Sequence, residues 1–338
     1  MNDQRPRFFG IPNRYLVLAI IILGVIAARF YSPILPHIQV AAEHYPGGPL
    51  FTLPIIGDFY WTNTMTAMVI ADIILLLIAL AVRRAARSGN LVPSGIPGVV
   101  EAVIEIIYNL TESTAGKWTK RIFPFFASIT LLVLIVNWTE LIPGVDSIGF
   151  LEHNDHGHPV EQIAPGVFTI IDAEPEQAEG GETGHSEELF ALVPYVRVLS
   201  TDLNFTVALA LISVFMTQVI GVQSLGVNYF SKFLNLRALW NFFNQPMGII
   251  DFGVGLLEIV SEISKILSFS FRLFGNIFAG SVLLFVIGTL VPVVAQSAFL
   301  MLELFVGVIQ ALVFGMLTMV FMSQATAGHG DHGDEHTH

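Results

Sequence analysis

The sequence contains no cysteine, and only 12% of its 338 residues are charged. The absence of thiols excludes disulfides, thiolate metal sites and cysteine nucleophiles, and it leaves the redox state of the compartment undetermined. The chain also lacks the Gly-rich spacing of a P-loop, which excludes nucleotide binding of that type. In contrast, 54% of the residues are hydrophobic and 27 are Phe, more than the core of a water-soluble domain requires. This composition indicates an integral membrane protein.

The hydrophobic residues are gathered into six stretches, at about 15–31, 62–82, 122–142, 204–226, 247–291 and 297–323. A membrane helix needs about 20 apolar residues, so the first stretch is short and the fifth is long. The fifth begins with charged residues and then becomes wholly apolar, which indicates one tilted helix that starts at an interface. The first follows three arginines and fits either an extra membrane helix or a cleavable signal segment. We therefore predict an all-α membrane fold of five core helices with an additional N-terminal segment.

The basic residues predict the orientation of these helices. Eleven of the 15 lysines and arginines fall in three stretches separated by even numbers of predicted spans. By the positive-inside rule, the side that carries them is cytoplasmic. The acidic loop over 143–203, which carries only Arg197, then faces outward, and the tail from Thr326 faces the cytoplasm. The eleven residues are Arg5, Arg7, Arg14, Arg83, Arg84, Arg87, Lys117, Lys120, Arg121, Lys232 and Arg237.

The segment 97–116 has the helical period but carries a polar face. Pro97 suits the first turn of a helix and Gly116 suits its end. The pattern predicts an amphipathic helix on the cytoplasmic membrane surface, where the basic residues that follow it meet anionic lipid. Packing against a soluble domain is the alternative. The polar positions are Glu101, Glu105, Asn109 and Glu112.

Between Ile266 and Ser323 the only ionisable side chains are Arg272 and Glu303. A guanidinium keeps its proton, and holding it in hydrocarbon costs between about 3 and more than 10 kcal/mol. Charges inside the membrane usually face the bundle interior or a cavity and serve a function. The structural alternative is an internal ion pair between the two residues that only locks their helices together.

Polar residues form stripes on the last two predicted helices. One stripe runs at steps of three or four residues from Glu258 to Asn276 and includes the arginine. Small residues at Gly275, Ala279 and Gly280 allow a neighbouring helix to approach closely. On the last helix, Glu303 and Gln310 are seven residues apart and share a face. Two polar stripes on adjacent helices indicate paired water-filled paths.

The run SFRLFGNIFAG at 270–280 is the most specific motif of the chain. Together with LEIVSEISK at 257–265, QALVF at 310–314 and NWTELIP at 137–143, it resembles subunit a of the F-type ATP synthase over roughly residues 50–325. The resemblance implies a stator subunit that packs against the ring of c subunits and provides two offset aqueous half-channels. It also implies the b-subunit peripheral stalk and the remaining subunits of the complex as partners, with protons or sodium as the transported ion.

The resemblance implies a role for eight residues of the last two helices. Arg272 corresponds to the essential arginine of the family, which attracts each ionised carboxylate of the ring and blocks leakage between half-channels. Other members carry a Glu or a His at the place of Ser281, so this chain has one titratable group fewer there. We therefore assign proton uptake to Glu303, and a hydrogen-bonding or water-holding role to Ser281. The remaining residues are Asn276 and Gln310 beside the arginine, and Glu258, Ser261 and Lys265 on the cytoplasmic exit path.

The predicted organisation has three parts: an N-terminal extension over 1–49, a membrane domain over 50–325 and a His/Asp-rich tail over 326–338. Within the membrane domain, 143–203 is a solvated insertion, and its histidines lie among Gly and Pro residues that fix no metal geometry. We expect a non-catalytic, multi-pass subunit of a bacterial plasma (inner) membrane, with a cytoplasmic C-terminus and no cofactor, metal or nucleic acid. A stand-alone secondary transporter that binds an anion at Arg272 is the alternative, but the sequence has no internal repeat to support it.

Overall fold

A computed structural model describes residues 39–54, 57–87, 95–142, 144–170, 189–226, 229, 233, 247–290 and 294–327, with individual positions between 7 and 26. Within these residues, five helical segments are long and apolar enough to cross a membrane. They coincide with the last five predicted stretches and confirm the all-α membrane fold. Much of the first stretch, the acidic residues 174–188 and the tail beyond 327 lie outside the described residues.

Six named helices make up most of the described chain. The third follows the second after a 3-10 turn at Gly116–Trp118, so the two together form one continuous candidate span. The second ends at Gly116, as predicted, and the fourth ends at Gly226, which was not predicted; both glycines have positive φ. The helices are α1 (Asn63–Arg87), α2 (Ile96–Ala115), α3 (Thr119–Trp138), α4 (Leu203–Leu225), α5 (Met247–Leu290) and α6 (Val294–Thr326).

Helix α5 has 44 residues, which corresponds to about 66 Å of length at the usual rise of 1.5 Å per residue. A hydrocarbon core is about 30 Å thick, so a helix of this length lies at a steep tilt if both of its ends remain near the membrane. The single long helix agrees with the prediction for the fifth stretch.

The chain divides into two compact units, and α5 and α6 each contribute to both. The first unit comprises Met1–Thr66, Thr139–Arg197 and Ile277–Val306. The second comprises Ala67–Trp138, Val198–Asn276 and Gly307–His338.

The core of the second unit explains the amphipathic pattern of α2. The polar residues of α2 are exposed, whereas Ile107 of the same helix is buried in a cluster with residues of α3, α4 and α6. The apolar face of α2 therefore packs against other helices of the chain rather than against a soluble domain. Helices α3 and α6 approach closely at Gly315, where an added Cβ would lie 2.8 Å from Phe126 Cε2. The cluster consists of Ile107, Ala115, Ile122, Phe126, Ala127, Ile220, Met319 and Met322.

The first unit contains short antiparallel strand pairs that the sequence analysis did not predict. Four of the strands lie in the insertion 143–203, which is therefore folded where the structure describes it. In the strand Phe190–Pro194 the side chains alternate, with Ala191 and Val193 buried, and this period of two is typical of a strand with one covered face. The pairs are β1 (Arg7–Phe8) with β2 (Ile11–Pro12), β3 (Phe51–Leu53) with β4 (Gly57–Phe59), β5 (Gly149–His158) with β8 (Phe190–Pro194), and β6 (Val160–Ala164) with β7 (Val167–Ile170).

Candidate functional site

The arginine of the SFRLFGNIFAG motif lies on an exposed face of α5. Its Nη2 atom donates a hydrogen bond of 3.4 Å to Ser268 Oγ, one turn earlier. Gly275 and Asn276, the next residues on this side of the helix, are also exposed, whereas Leu273 and Ile277 are buried. The structure thus presents Arg272 and Asn276 on one uncovered surface, next to Gly275. Since a cation facing lipid is costly, this surface requires either a partner or water.

Further towards the start of α5, an ion pair of the second unit occupies the predicted exit path. Lys265 Nζ donates to Glu262 Oε1 at 2.7 Å and lies 4.7 Å from the centroid of the Phe321 ring. The other carboxylate oxygen of Glu262, Oε2, is buried and has no hydrogen-bond partner among the described residues. Glu258 and Ser261 are half-buried on the same helix. The structure therefore places the predicted exit residues together, with Lys265 engaged by Glu262.

A tyrosine that the sequence analysis missed belongs to the same region. Tyr229 is buried, and its hydroxyl donates to Gln218 Oε1 at 2.7 Å. Burial, together with the negative charges of Glu262 and Glu258, raises the pKa of Tyr229 to about 12. The phenol therefore remains a hydrogen-bond donor at neutral pH. No motif signalled this residue, because Tyr229 lies between two helices and reaches them only in the folded chain.

The predicted uptake residues lie in the first unit. Glu303 is buried on α6, and its Oε1 atom has no hydrogen-bond partner among the described residues. Its carboxyl group occupies the space left by the missing side chain of Gly280 on α5. A Cβ added at Gly280 would lie 2.6 Å from Glu303 Oε1 and 2.7 Å from its Cδ. The glycine therefore gives the carboxyl group direct access to the backbone of α5.

The neighbouring Ser281 connects this region to a second buried acid. Its hydroxyl donates to Glu140 Oε1 and lies 3.0 Å from the carbonyl oxygen of Ile277. Glu140 is buried in the 3-10 turn Thr139–Leu141, and its Oε2 atom has no hydrogen-bond partner among the described residues. The charge of Glu303 acts on Glu140, so the two acids are electrostatically coupled. We call Glu140, Ser281 and Glu303 the carboxyl cluster.

The carboxyl cluster can hold and transfer a proton. When Glu140 is ionised, the Ser281 hydroxyl donates to it; when Glu140 carries a proton, it can donate to Ser281 Oγ while the hydroxyl turns to the Ile277 carbonyl. Two neighbouring buried carboxylates repel each other, which favours retention of a proton by the pair. Glu140 lies in the NWTELIP motif at 137–143, which predicts no role for it, and only the folded chain brings it beside Ser281.

A third acid lies just outside the membrane spans. Asp146 is part of the 3-10 turn Val145–Ser147 in the first unit. Burial raises the pKa of Asp146 to about 6, although the positive charge of Arg197 opposes this shift. Arg197 itself donates to the carbonyl oxygens of Gln39 and, at 2.8 Å, Ala41. The charge of Asp146 also acts on Glu140 of the carboxyl cluster.

Gln310 lies half-buried on α6, two helical turns beyond Glu303. The seven-residue spacing puts both on one side of the helix, as predicted. Among the described residues no group of three or more His, Asp or Glu could hold a metal ion. The histidines of the tail lie outside the described part of the chain.

Comparison with known proteins identifies one family. The family model of the ATP synthase A chain matches residues 65–323 of this sequence. The chain is 25% identical to ATP synthase subunit a of Bradyrhizobium diazoefficiens over 188 residues, which are 55% of this chain and 53% of the relative. It is 29% identical to the subunit of Dinoroseobacter shibae over 106 residues, 29% of this chain and 41% of the relative. The matched segments thus span about half or less of the lengths of these relatives.

Proposed function

This chain belongs to the ATP synthase A chain family, and we propose that it is the proton-conducting stator subunit of an F-type ATP synthase. In this role it conducts protons to and from the carboxylates of a c-subunit ring, while other subunits make ATP. The observation that carries the proposal is the exposed face of Arg272 on a helix able to cross the membrane. A permanent cation on an uncovered membrane surface fits a moving partner that brings carboxylates.

The arginine acts on the ring by electrostatics. At a separation of about 4 Å and an effective dielectric constant of about 20, opposite unit charges attract by about 4 kcal/mol. This energy favours the ionised form of a facing carboxylate by about a thousandfold. A ring carboxylate therefore releases its proton before it passes Arg272, and the cation hinders a proton from crossing directly between the half-channels. Asn276, on the same exposed face, offers a neutral hydrogen-bonding group beside the cation.

The carboxyl cluster forms part of the uptake half-channel. Asp146 lies at the outer end and exchanges protons with water near neutral pH. Glu140, Ser281 and Glu303 then provide acid and hydroxyl groups that pass the proton inward. Gln310, two turns further along α6, provides a polar group on the same side of the helix. The charge of Glu303 acts on Glu140, which supports a shared path, because a proton on one acid weakens its repulsion of the other.

The exit half-channel lies near Glu258, Ser261 and Lys265. The ion pair between Lys265 and Glu262 provides a pair of opposite charges at the cytoplasmic end of the path. The charges of Glu262 and Glu258 also act on Tyr229, whose hydroxyl donates to Gln218. In the proposed topology the C-terminus is cytoplasmic, the membrane is the bacterial plasma membrane, and the b-subunit stalk holds the chain against rotation.

The decisive test replaces Arg272 with Ala and measures ATP-driven proton pumping in inverted membrane vesicles. We expect coupled pumping to be abolished, because the remaining side chain cannot attract or discharge a ring carboxylate. Ser268→Ala is the matched control, since it removes the hydrogen-bond partner of Arg272 one turn away but keeps the cation. Pumping that survives Arg272→Ala at the wild-type rate would contradict the stator proposal.

A further inference from the structure

The hairpin formed by β3 and β4 has two chemically different faces. Phe51 pairs with Phe59, and their rings stack with centroids 4.7 Å apart and an interplanar angle of 12°. The next pair points to the opposite side, where Thr52 Oγ1 donates to Asp58 Oδ1 at 2.8 Å. Leu53 returns to the aromatic side. The hairpin therefore carries a continuous apolar face and a polar face.

The apolar face is open in the folded chain. The side chain of Phe51 is 51% exposed and that of Leu53 is 40% exposed. A two-stranded hairpin alone in water is at best marginally stable. An exposed stack of aromatic rings in such a hairpin thus indicates a surface that is covered in the native environment.

The hairpin is held at the beginning of a membrane helix. Only three residues separate Phe59 from the first residue of α1, Asn63. Trp61 Nε1 donates to Thr66 Oγ1 at 2.9 Å, and the hydroxyl groups of Tyr45 and Thr66 lie 3.0 Å apart. These bonds fix the segments before β3 and after β4 to the first turn of the helix. The hairpin is therefore held at the level where the chain enters the membrane.

We propose that the apolar face of this hairpin docks on the lipid interface at the end of the membrane where α1 begins. Helix α1 itself indicates lipid as the neighbour, because only 11% of its most apolar 18-residue stretch is buried within the protein. Trp61 remains 41% exposed at the same level, and aromatic residues concentrate at membrane interfaces. Asp58 is the one charged residue between 45 and 62, and it lies on the polar face. Docking therefore depends on apolar contact rather than on anionic headgroups.

The alternating faces provide an internal control for the experiment. Because the chain contains no cysteine, single cysteines can be introduced at the hairpin without removing native ones. Phe51→Cys, Leu53→Cys and Phe59→Cys probe the apolar face, and Thr52→Cys and Asp58→Cys probe the polar face. Each variant is spin-labelled in the assembled complex in liposomes, and its collisions with oxygen and with a water-soluble nickel chelate are measured. The complex with the unsubstituted chain gives the background from other subunits.

We expect the ratio of oxygen to nickel collisions to be several-fold higher at the three apolar positions than at the two polar ones. Equal, water-like ratios at all five positions would overturn the proposal. Labels on the apolar face that are immobile and shielded from both reagents would also overturn it, because another protein would then cover the face. If a change at Phe51 or Phe59 disrupts the aromatic stack, the adjacent positions Thr52 and Leu53 decide the result. Liposomes with and without anionic lipid should give the same alternation.

Discussion

Glu140 and Ser281 are 141 positions apart in the sequence, yet they share a hydrogen bond in the first unit. Ser281 stands where the resemblance implies a Glu or a His in other family members. On the sequence alone, proton uptake is therefore assigned to Glu303. The structure supplies a second acid from a different part of the chain. At the scale of single residues, the folded chain thus brings an ionisable side chain, Glu140, to the position where the resemblance implies that one is missing.

This arrangement predicts that Glu140 is required for proton uptake. Glu140→Gln keeps an oxygen that accepts from Ser281 but removes the exchangeable proton. We expect proton flux through vesicles stripped of the ATPase head to fall by about a hundredfold, a typical loss for a positioned acid–base group. Glu303→Gln should cause a similar loss. Ser281→Ala, which removes the bridge and keeps both acids, should cause a smaller one. A wild-type flux in Glu140→Gln would remove this acid from the path.

The raised pKa of Asp146 makes the free energy of unfolding depend on pH. Its pKa is about 6 in the folded chain, against a usual value of 3.8, so the folded chain retains a proton that the unfolded chain has lost. The contribution of this group is fully present below about pH 4 and is lost as the pH rises to about 6, by about 3 kcal/mol at most. Asp146→Asn removes it, so the thermal midpoint in detergent should fall less between pH 4 and 7 than in the wild type. Identical pH profiles would show that Asp146 titrates normally.

Helix α5 combines a buried side and an exposed side along one continuous element. Gly280 allows close contact with Glu303, whereas Gly275 lies on the exposed side and has open space where a Cβ would stand. Glycine in a helix normally costs about 0.5–1 kcal/mol relative to alanine. Two glycines in this region therefore indicate that α5 gives up some helix stability for close approach of other groups.

Gly280→Ala should impair proton uptake by displacing the carboxyl group of Glu303. The added Cβ would overlap that group, and the flexible end of the Glu303 side chain must turn away from α5. Gly253→Ala is the matched control, because it lies on the same helix with no atom within 4 Å of its added Cβ. We expect lower proton flux for Gly280→Ala only, measured in stripped vesicles. Equal flux in the two variants would contradict a role for this close approach.

At the scale of the whole molecule, some features could be read from the sequence and others could not. Apolar runs located the spans, because membrane insertion constrains each helix locally. The motif around Arg272 identified the family because it occupies one short run. The position of Glu140 beside Ser281 depends on long-range packing, and the hydrogen bond from Tyr229 to Gln218, 11 residues apart, is signalled by no motif. The β5–β8 pair joins residues across the insertion 143–203, whose acidic, Gly-rich sequence concealed it.

The proposed function predicts which subunits copurify with this chain. An affinity tag on this chain should copurify a ring of small membrane subunits and an ATPase head in mild detergent. The Arg272→Ala variant should copurify the same subunits, because shape and apolar contact hold the assembly while the arginine serves conduction. A stand-alone transporter would emerge alone in both preparations. Loss of the ring only from Arg272→Ala would instead show that the cation is needed for assembly.

The exposed face of α5 also has a mechanical consequence. Large interlocking side chains resist the sliding of one helix past another, because each must leave one hollow before it enters the next. Beside Arg272 this face carries Gly275, Asn276 and Ala279, which are short, together with the exposed ring of Phe271. If the chain is the proposed stator, a ring that turns against the short side chains meets less steric resistance than it would against interlocking large ones. In that proposal the charge attraction at the arginine lapses whenever the facing carboxyl group regains a proton, so proton supply would set the pace of rotation.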